Sequence, residues 1–143
     1  GYQFALPAEA QLEFAFRGGT ETAFLSGAER EGLEEYVWNS ENSSKQTHPV
    51  KSKRANAFGV HQSSVREWTM DWYRDFFPTG EETDPQGPTE GTDHVIRGCG
   101  WYQYPAACRS AFRGSAGPAS GAYFIGFRLL RLPKSGSPST ANG

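Results

Sequence analysis

The chain has 143 residues, enough for one domain with a single core and too few for two. Hydrophobic residues make up only 36%, against 17 Gly, 9 Pro and 14% aromatics, which excludes a bundle of long helices and points to irregular backbone held by rings. A net charge of −2 with no basic run interleaved with aromatics excludes nucleic acid as the main partner, and no apolar run is long enough to cross a membrane.

The first predicted element is a helix over Pro7–Phe16. Pro7 sits where an N1 proline would, Glu9 falls in the first turn, and Gly18-Gly19 stops the helix. Leu12, Ala15 and Phe16 lie at helical spacing and should face the core. Leu33–Trp38 is short and fits no single element. Asn39–Lys53 is polar and loop-like, and Arg54–Val60 introduces a turn around Gly59. Val65–Tyr73 carries Trp68 and Trp72 and reads as a strand entering the core, followed by a long turn-rich connection from Pro78 to Gly91. Val95–Gly98 and Ile125–Leu130 read as strands that should share a central antiparallel sheet. From Pro133 to Gly143 the chain is linker-like and should form a flexible tail. One helix followed by strands and long loops is an α+β pattern without internal repeats, with regular structure in the minority.

Between the last two strands the composition changes. From Tyr104 to Phe124 only Tyr, Phe, Ala, Gly, Ser, Pro, Arg and one Cys occur. Binding loops favour this mixture, because rings give contact area at low entropic cost and small residues give fit. A glycine-rich loop that merely wraps the core would look similar.

Charge is also segregated. Every Asp and Glu lies at or before Asp93, and Arg97, Arg109, Arg113, Arg128, Arg131 and Lys134 follow with no acid. These arginines are expected to pair with the earlier acids and brace loops, the alternative being an anionic partner. Cys99 and Cys108 lack zinc spacing and flank one loop, so a disulfide and two buried thiols are both open. His48, His61 and His94 have no partner at metal-ligand spacing and read as surface or loop histidines. No nucleophile elbow or ordered triad is present.

Several short stretches, in order, resemble one family. Leu6-Pro7-Ala8-Glu9-Ala10-Gln11-Leu12-Glu13-Phe14-Ala15-Phe16-Arg17-Gly18-Gly19 is similar to the signature helix of the formylglycine-generating, or sulfatase-modifying, domain family. Thr47-His48-Pro49-Val50, Asn56-Ala57-Phe58-Gly59, Glu67-Trp68-Thr69, Asp84-Pro85, Val95-Ile96-Arg97-Gly98, Cys108-Arg109-Ser110-Ala111 and Ile125-Gly126-Phe127-Arg128 continue the resemblance. It implies a C-type-lectin-like fold over residues 1–132, with a small antiparallel sheet, one clear helix and much loop. The resemblance implies a further segment before the helix, which this sequence lacks because either the chain is truncated or its N-terminus is a reduced variant.

Three departures decide what the resemblance implies for function. Catalytic members hold copper with a cysteine pair after a Gly-Gly-Ser-Trp/Tyr stretch. Here Gly98-Cys99-Gly100-Trp101 is followed by six residues without cysteine, so Cys99 and Cys108 would need an unusual loop path to form a two-thiolate site. Where the family reads Gly-Asn-Val-Trp-Glu-Trp and binds calcium, this chain has Ser63-Ser64-Val65-Arg66-Glu67-Trp68, which keeps Glu67 but loses the Asn and Gly. No cofactor is therefore expected.

The third departure is the loop itself, which resembles the branch of variable proteins of diversity-generating retroelements. There the adenines of Asn codons are randomised, which reaches Ala, Gly, Ser, Tyr, Phe, Pro, Cys and Arg but never Lys, Glu, Gln, Met or Trp. Residues 104–124 obey that restriction, and Gln103 would have to be fixed. The resemblance implies a non-enzymatic ligand-binding module whose variable surface comprises Tyr102, Tyr104, Ala106, Phe112, Ser115, Ala116, Ala119, Ser120, Ala122, Tyr123 and Phe124, with Trp101, Arg109, Arg113 and Arg128 holding the loops. The expected partner is a protein or glycan on another cell surface, and the protein itself would be at a cell surface, secreted or on a virion. The alternatives are a copper-dependent oxidase acting on a protein cysteine and an inactive structural paralogue.

Overall fold

The computed structural model describes residues 1–134 apart from Pro78. Six strands and one α-helix follow the order β1 (Tyr2–Ala5), α1 (Glu9–Arg17), β2 (Arg66–Trp72), β3 (His94–Arg97), β4 (Gly114–Ala116), β5 (Ile125–Gly126) and β6 (Leu130–Pro133). Short 3-10 turns occupy Leu33–Glu35 and Pro105–Cys108. The α+β, C-type-lectin-like expectation holds, with long loops carrying most of the chain.

Helix α1 forms where the apolar spacing predicts it but starts two residues later. Pro7 is buried ahead of the N-cap, Ala8, and its carbonyl accepts from Met70 N at 3.0 Å, so it docks the helix start onto β2 instead of opening the first turn. The Gln11 side chain accepts from Ala8 N at 2.9 Å, half of a capping box. Gly18 ends the helix in the left-handed region at φ 58°, where a side chain would also collide with Asn56. Leu12 and Phe16 are buried as their spacing requires, and Ala15 is half-buried.

The main sheet has the order β4-β3-β2-β5. β2 and β3 pair antiparallel with Trp68 opposite Ile96, and β4 adds to β3 with Val95 opposite Ser115. On the other side β5 runs parallel to β2, with Arg66 opposite Ile125. The strands at Val95 and Ile125 thus share a sheet as expected, but the sheet is mixed. Nor does one strand run from Ile125 to Leu130. After Gly126 the chain leaves the sheet, Phe127 and Leu129 point to solvent, and Leu130–Pro133 pairs with β1 in a separate two-stranded ribbon. The Arg128 side chain, drawn inward onto Glu67, marks the break. Pro133 lies opposite Tyr2 in that ribbon, so the expected tail loses its first residue to β6. Residues 135–143 lie outside the described part.

Beside the sheet, Phe24, Leu33, Val37, Cys99 and Cys108 form a buried cluster. Cys99 and Cys108 are joined there by a disulfide, their Cα atoms 4.7 Å apart. The loop path taken as an obstacle exists: the 3-10 turn Pro105–Cys108 folds the second cysteine back beneath the first.

Candidate functional site

The segment 98–124 leaves the sheet from β3 and returns at β5, and its fixed points are backbone bonds to distant loops. Trp101 N donates to Ser64 O at 2.8 Å, Ser43 Oγ donates to Trp101 O at 2.7 Å, and Ser110 N donates to Ala23 O at 2.9 Å. Arg66 N donates to Phe124 O at 3.0 Å where the loop rejoins the sheet.

Between these anchors burial alternates. Tyr102, Tyr104 and Ala106 are exposed, while Gln103 and Pro105 are buried. Gln103 is tied on three sides: its N donates to Gly100 O at 2.9 Å, its Oε1 accepts from Gly100 N at 2.8 Å, and its carbonyl accepts from Ser40 N at 2.8 Å. The one residue that the adenine-restricted alphabet could not supply is also the residue the loop depends on for its shape.

None of the five rings in the expected surface is buried. Tyr104 and Tyr123 are 77% and 78% exposed, and Tyr102 is 37% exposed, while Phe112 and Phe124 are half-buried. Tyr102, Tyr123 and Phe124 gather with Trp101 into one cluster, the Tyr102 and Phe124 centroids 4.8 Å apart and those of Tyr123 and Phe124 5.4 Å apart. Ser115 and Ala116 lie on the edge strand β4, where Ser115 Oγ donates to Asp93 at 3.1 Å. Ala119, Ser120 and Ala122 occupy the turn that follows, with Ala122 half-buried and the other two exposed. The expected residues therefore fall on three adjoining segments.

The expected braces divide by role. Arg113 Nε and Nη2 close on Glu9 at 2.6 and 2.9 Å, and Arg113 Nη1 donates to Arg74 O at 2.8 Å. Arg128 Nε and Nη2 close on both oxygens of Glu67 at 2.6 and 2.9 Å. Arg97, buried, spans Glu9 and Glu13 and also donates to Ser110 O at 2.7 Å. Arg109 does not brace across the loop. It is exposed and, among the described residues, reaches only Ala106 O at 3.1 Å.

Arg66 went unnoticed in the sequence, although it stands where the family has Trp. It is buried, it donates to Ile96 O at 2.9 Å, and its guanidinium carbon lies 5.2 Å from the Phe112 ring centroid. A Cβ at Gly114 would collide with the Arg66 guanidinium, so a side chain there would have to displace it. Burial pushes the Tyr102 phenol above its ordinary value, while the neighbouring Arg66 charge opposes that shift.

The metal readings meet unfavourable donor sets. Glu67, the one oxygen ligand retained at the calcium stretch, gives both oxygens to Arg128. Cys99 and Cys108 are bonded to each other in the core. Among the described residues no three His, Cys, Asp or Glu side chains gather as a metal site. Each histidine is engaged with backbone: His48 with Ser43 O, His61 with Lys53 O and His94 with Asp71 O, and His48 and His94 also stack on Trp38 and Trp72. A cleft of about 260 Å³ between α1, β2 and the 74–88 segment contains Glu9, Glu13 and Asp71, but Glu9 and Glu13 are held by arginines.

The family model of the sulfatase-modifying factor enzyme 1-like domain matches residues 2–133. Over 132 residues the chain is 34% identical to the Chlamydia caviae protein named serine/threonine-protein kinase pkn1, covering 88% of this chain and 21% of that protein. It is 30% identical to the formylglycine-generating enzyme of Mus musculus, covering 86% of this chain and 38% of the enzyme. Among solved structures, Treponema denticola variable protein 1 superposes with a TM-score of 0.82 at 34% identity, covering 90% of this chain and 47% of that one. PvdO from Pseudomonas aeruginosa follows with a TM-score of 0.79 at 27% identity, covering 93% and 54%. The chain thus spans between about a fifth and about half of these relatives' lengths. With nearly its whole length matched, the chain belongs to the sulfatase-modifying factor enzyme 1-like, or formylglycine-generating enzyme, family, and its fold is similar to that of the Treponema denticola variable protein.

Proposed function

We propose that this protein is a non-enzymatic ligand-binding module that presents a diversified surface on residues 102–124, acting on a protein or glycan at another cell's surface. The observation that carries the reading is the alternation around Gln103. Tyr102, Tyr104 and Ala106, all compatible with adenine randomisation, face solvent, while Gln103, which is incompatible, is buried and tied to Gly100 and Ser40; Pro105 is compatible but buried, at the first position of its 3-10 turn. Exposed rings gathered with small residues supply contact area at low entropic cost, and a soluble domain tolerates them mainly where a partner covers them. The likeness to a variable protein supports the same reading.

The oxidase alternative needs two free thiolates, and here both sulfurs are committed to one bond inside the core. No metal is invoked in the proposal. The surface implies a secreted, cell-surface or virion location.

Two measurements test the reading. A complete genome should hold, beside a reverse transcriptase gene, a second copy of the DNA for Trp101 to Arg128 that differs only at adenines. Its absence removes the retroelement origin. Exchanging Tyr104, Ala119 and Tyr123 for other residues in the restricted set should leave the melting temperature nearly unchanged, within about 0.5 kcal/mol per site. A cooperative loss of folding would assign these side chains to the core and remove the display surface.

A further inference from the structure

Arg66 lies beneath the proposed surface without a counter-charge. Among the described residues no carboxylate comes within ion-pair distance of its guanidinium, whereas Arg97, Arg113 and Arg128 all have one. Its contacts are the Ile96 carbonyl and the face of Phe112, with the Tyr102 phenol alongside. Its Nε is buried with no acceptor. So is the Trp101 indole N–H, under the same rings, since Trp101 packs on Tyr102 and Tyr123. Three buried donors lack an acceptor among the described residues, and two of them sit here. Of the residues near its guanidinium, Tyr102 is exposed and Phe112 and Gly114 are half-buried.

The surroundings share the sign. No acid follows Asp93 in the sequence, and Arg109 stands exposed on the same loop without an ion-pair partner among the described residues. Of the acids that touch residues 102–124, Glu9 is held by Arg113 and Arg97, and Asp93 takes a hydrogen bond from Ser115 on the edge strand. Burial pushes Arg66 below its ordinary value; the Tyr102 phenol opposes that shift and the nearby Arg97 charge adds to it. A buried unpaired charge is costly, and an incoming anion would relieve it.

We propose that the display surface contains a built-in anion seat, in which a carboxylate from an acidic side chain of a protein partner settles against Arg66 between Tyr102 and Phe112. This rests on the ligand-binding reading given above. Because Arg66 lies outside the diversified segment, the seat would stay constant while its rim varies. A protein partner is favoured by the rim, whose exposed tyrosines and small residues are those of an antibody-like contact surface.

The test pans a random peptide library of about 12 residues on the immobilised protein, then adds an enriched peptide to isotope-labelled protein while following the Arg66 Nε–H resonance. Enriched peptides should carry Asp or Glu, should shift that resonance, and should bind Arg66→Gln at least about tenfold more weakly. The resonance is read on the unsubstituted protein, so the result does not depend on whether Arg66→Gln folds. Enriched peptides without acids, or an unmoved resonance, overturn the seat and leave the display surface standing. A shift with sialyllactose and none with acidic peptides overturns the protein source in favour of an acidic sugar. If no peptide is enriched at all, the seat and the binding reading fall together.

Discussion

Arg113, in the loop between β3 and β5, closes a two-point clasp on Glu9, the first residue of α1, 104 positions earlier. Glu9 also receives Arg97 from β3, so one buried carboxylate joins the helix, the sheet and the loop.

Removing the shared partner should therefore cost more than removing one claimant. Glu9→Gln leaves Arg97 and Arg113 facing a neutral group and should lose about 3–5 kcal/mol of unfolding free energy. Arg113→Ala leaves Glu9 with Arg97 and should lose about 1–3 kcal/mol. Urea denaturation of both variants checks the order, and equal losses would show that the Arg97 contact carries none of the difference.

Two carboxylates should act oppositely with pH. Burial alone would raise Glu13, but Arg97 and Arg17 hold it below its ordinary value. Its stabilisation is present above the unfolded value and fades as pH falls through the folded one, so Glu13→Gln should be less stable at neutral pH with a difference that closes in acid. Asp71 is raised, first by burial and then by the Glu9 charge, against the Glu9 N–H that donates to it at 2.7 Å. Its stabilisation is present below the unfolded value and is lost as pH rises through the folded one. Asp71→Asn, which keeps the acceptor oxygen, should melt above the parent protein near pH 7 and lose that advantage near pH 4. Thermal melts across that range decide both.

The disulfide closes a short loop, its cysteines nine positions apart in sequence. Loop-closure entropy gives it about 2.5–3 kcal/mol. Reduction, or the double replacement Cys99→Ser with Cys108→Ser, should lower the melting temperature by roughly 5–12 °C. A protein indifferent to reductant would mean that packing with Phe24, Leu33 and Val37 suffices to hold the turn.

What was legible in the sequence was what depends on local repetition. Leu12 and Phe16 at helical spacing with Gly18 beyond them mark α1, and runs of β-prone residues mark β2 and β3. The ribbon of Tyr2–Ala5 with Leu130–Pro133 was not, because four-residue strands at opposite ends of the chain leave no periodic signal. Nor was the meeting of Cys99 and Cys108, which depends on the turn at Pro105. The 104–124 stretch stands out in the sequence by its restricted alphabet. Arg66 does not, since a lone arginine in a strand shows neither its burial nor its missing counter-charge until Gly114 and Phe112 are placed against it.

The order β4-β3-β2-β5 has a consequence for engineering. The 98–124 segment departs from β3 and returns to β5 with only β2 between them, so its two ends are pinned about 10 Å apart on a rigid support. A long excursion with nearby ends can change length and content at little closure cost. The segment is in that sense a cassette, exchangeable as a block between scaffolds whose seams match Arg97 and Ile125, provided Glu9 and Arg66 come with the host.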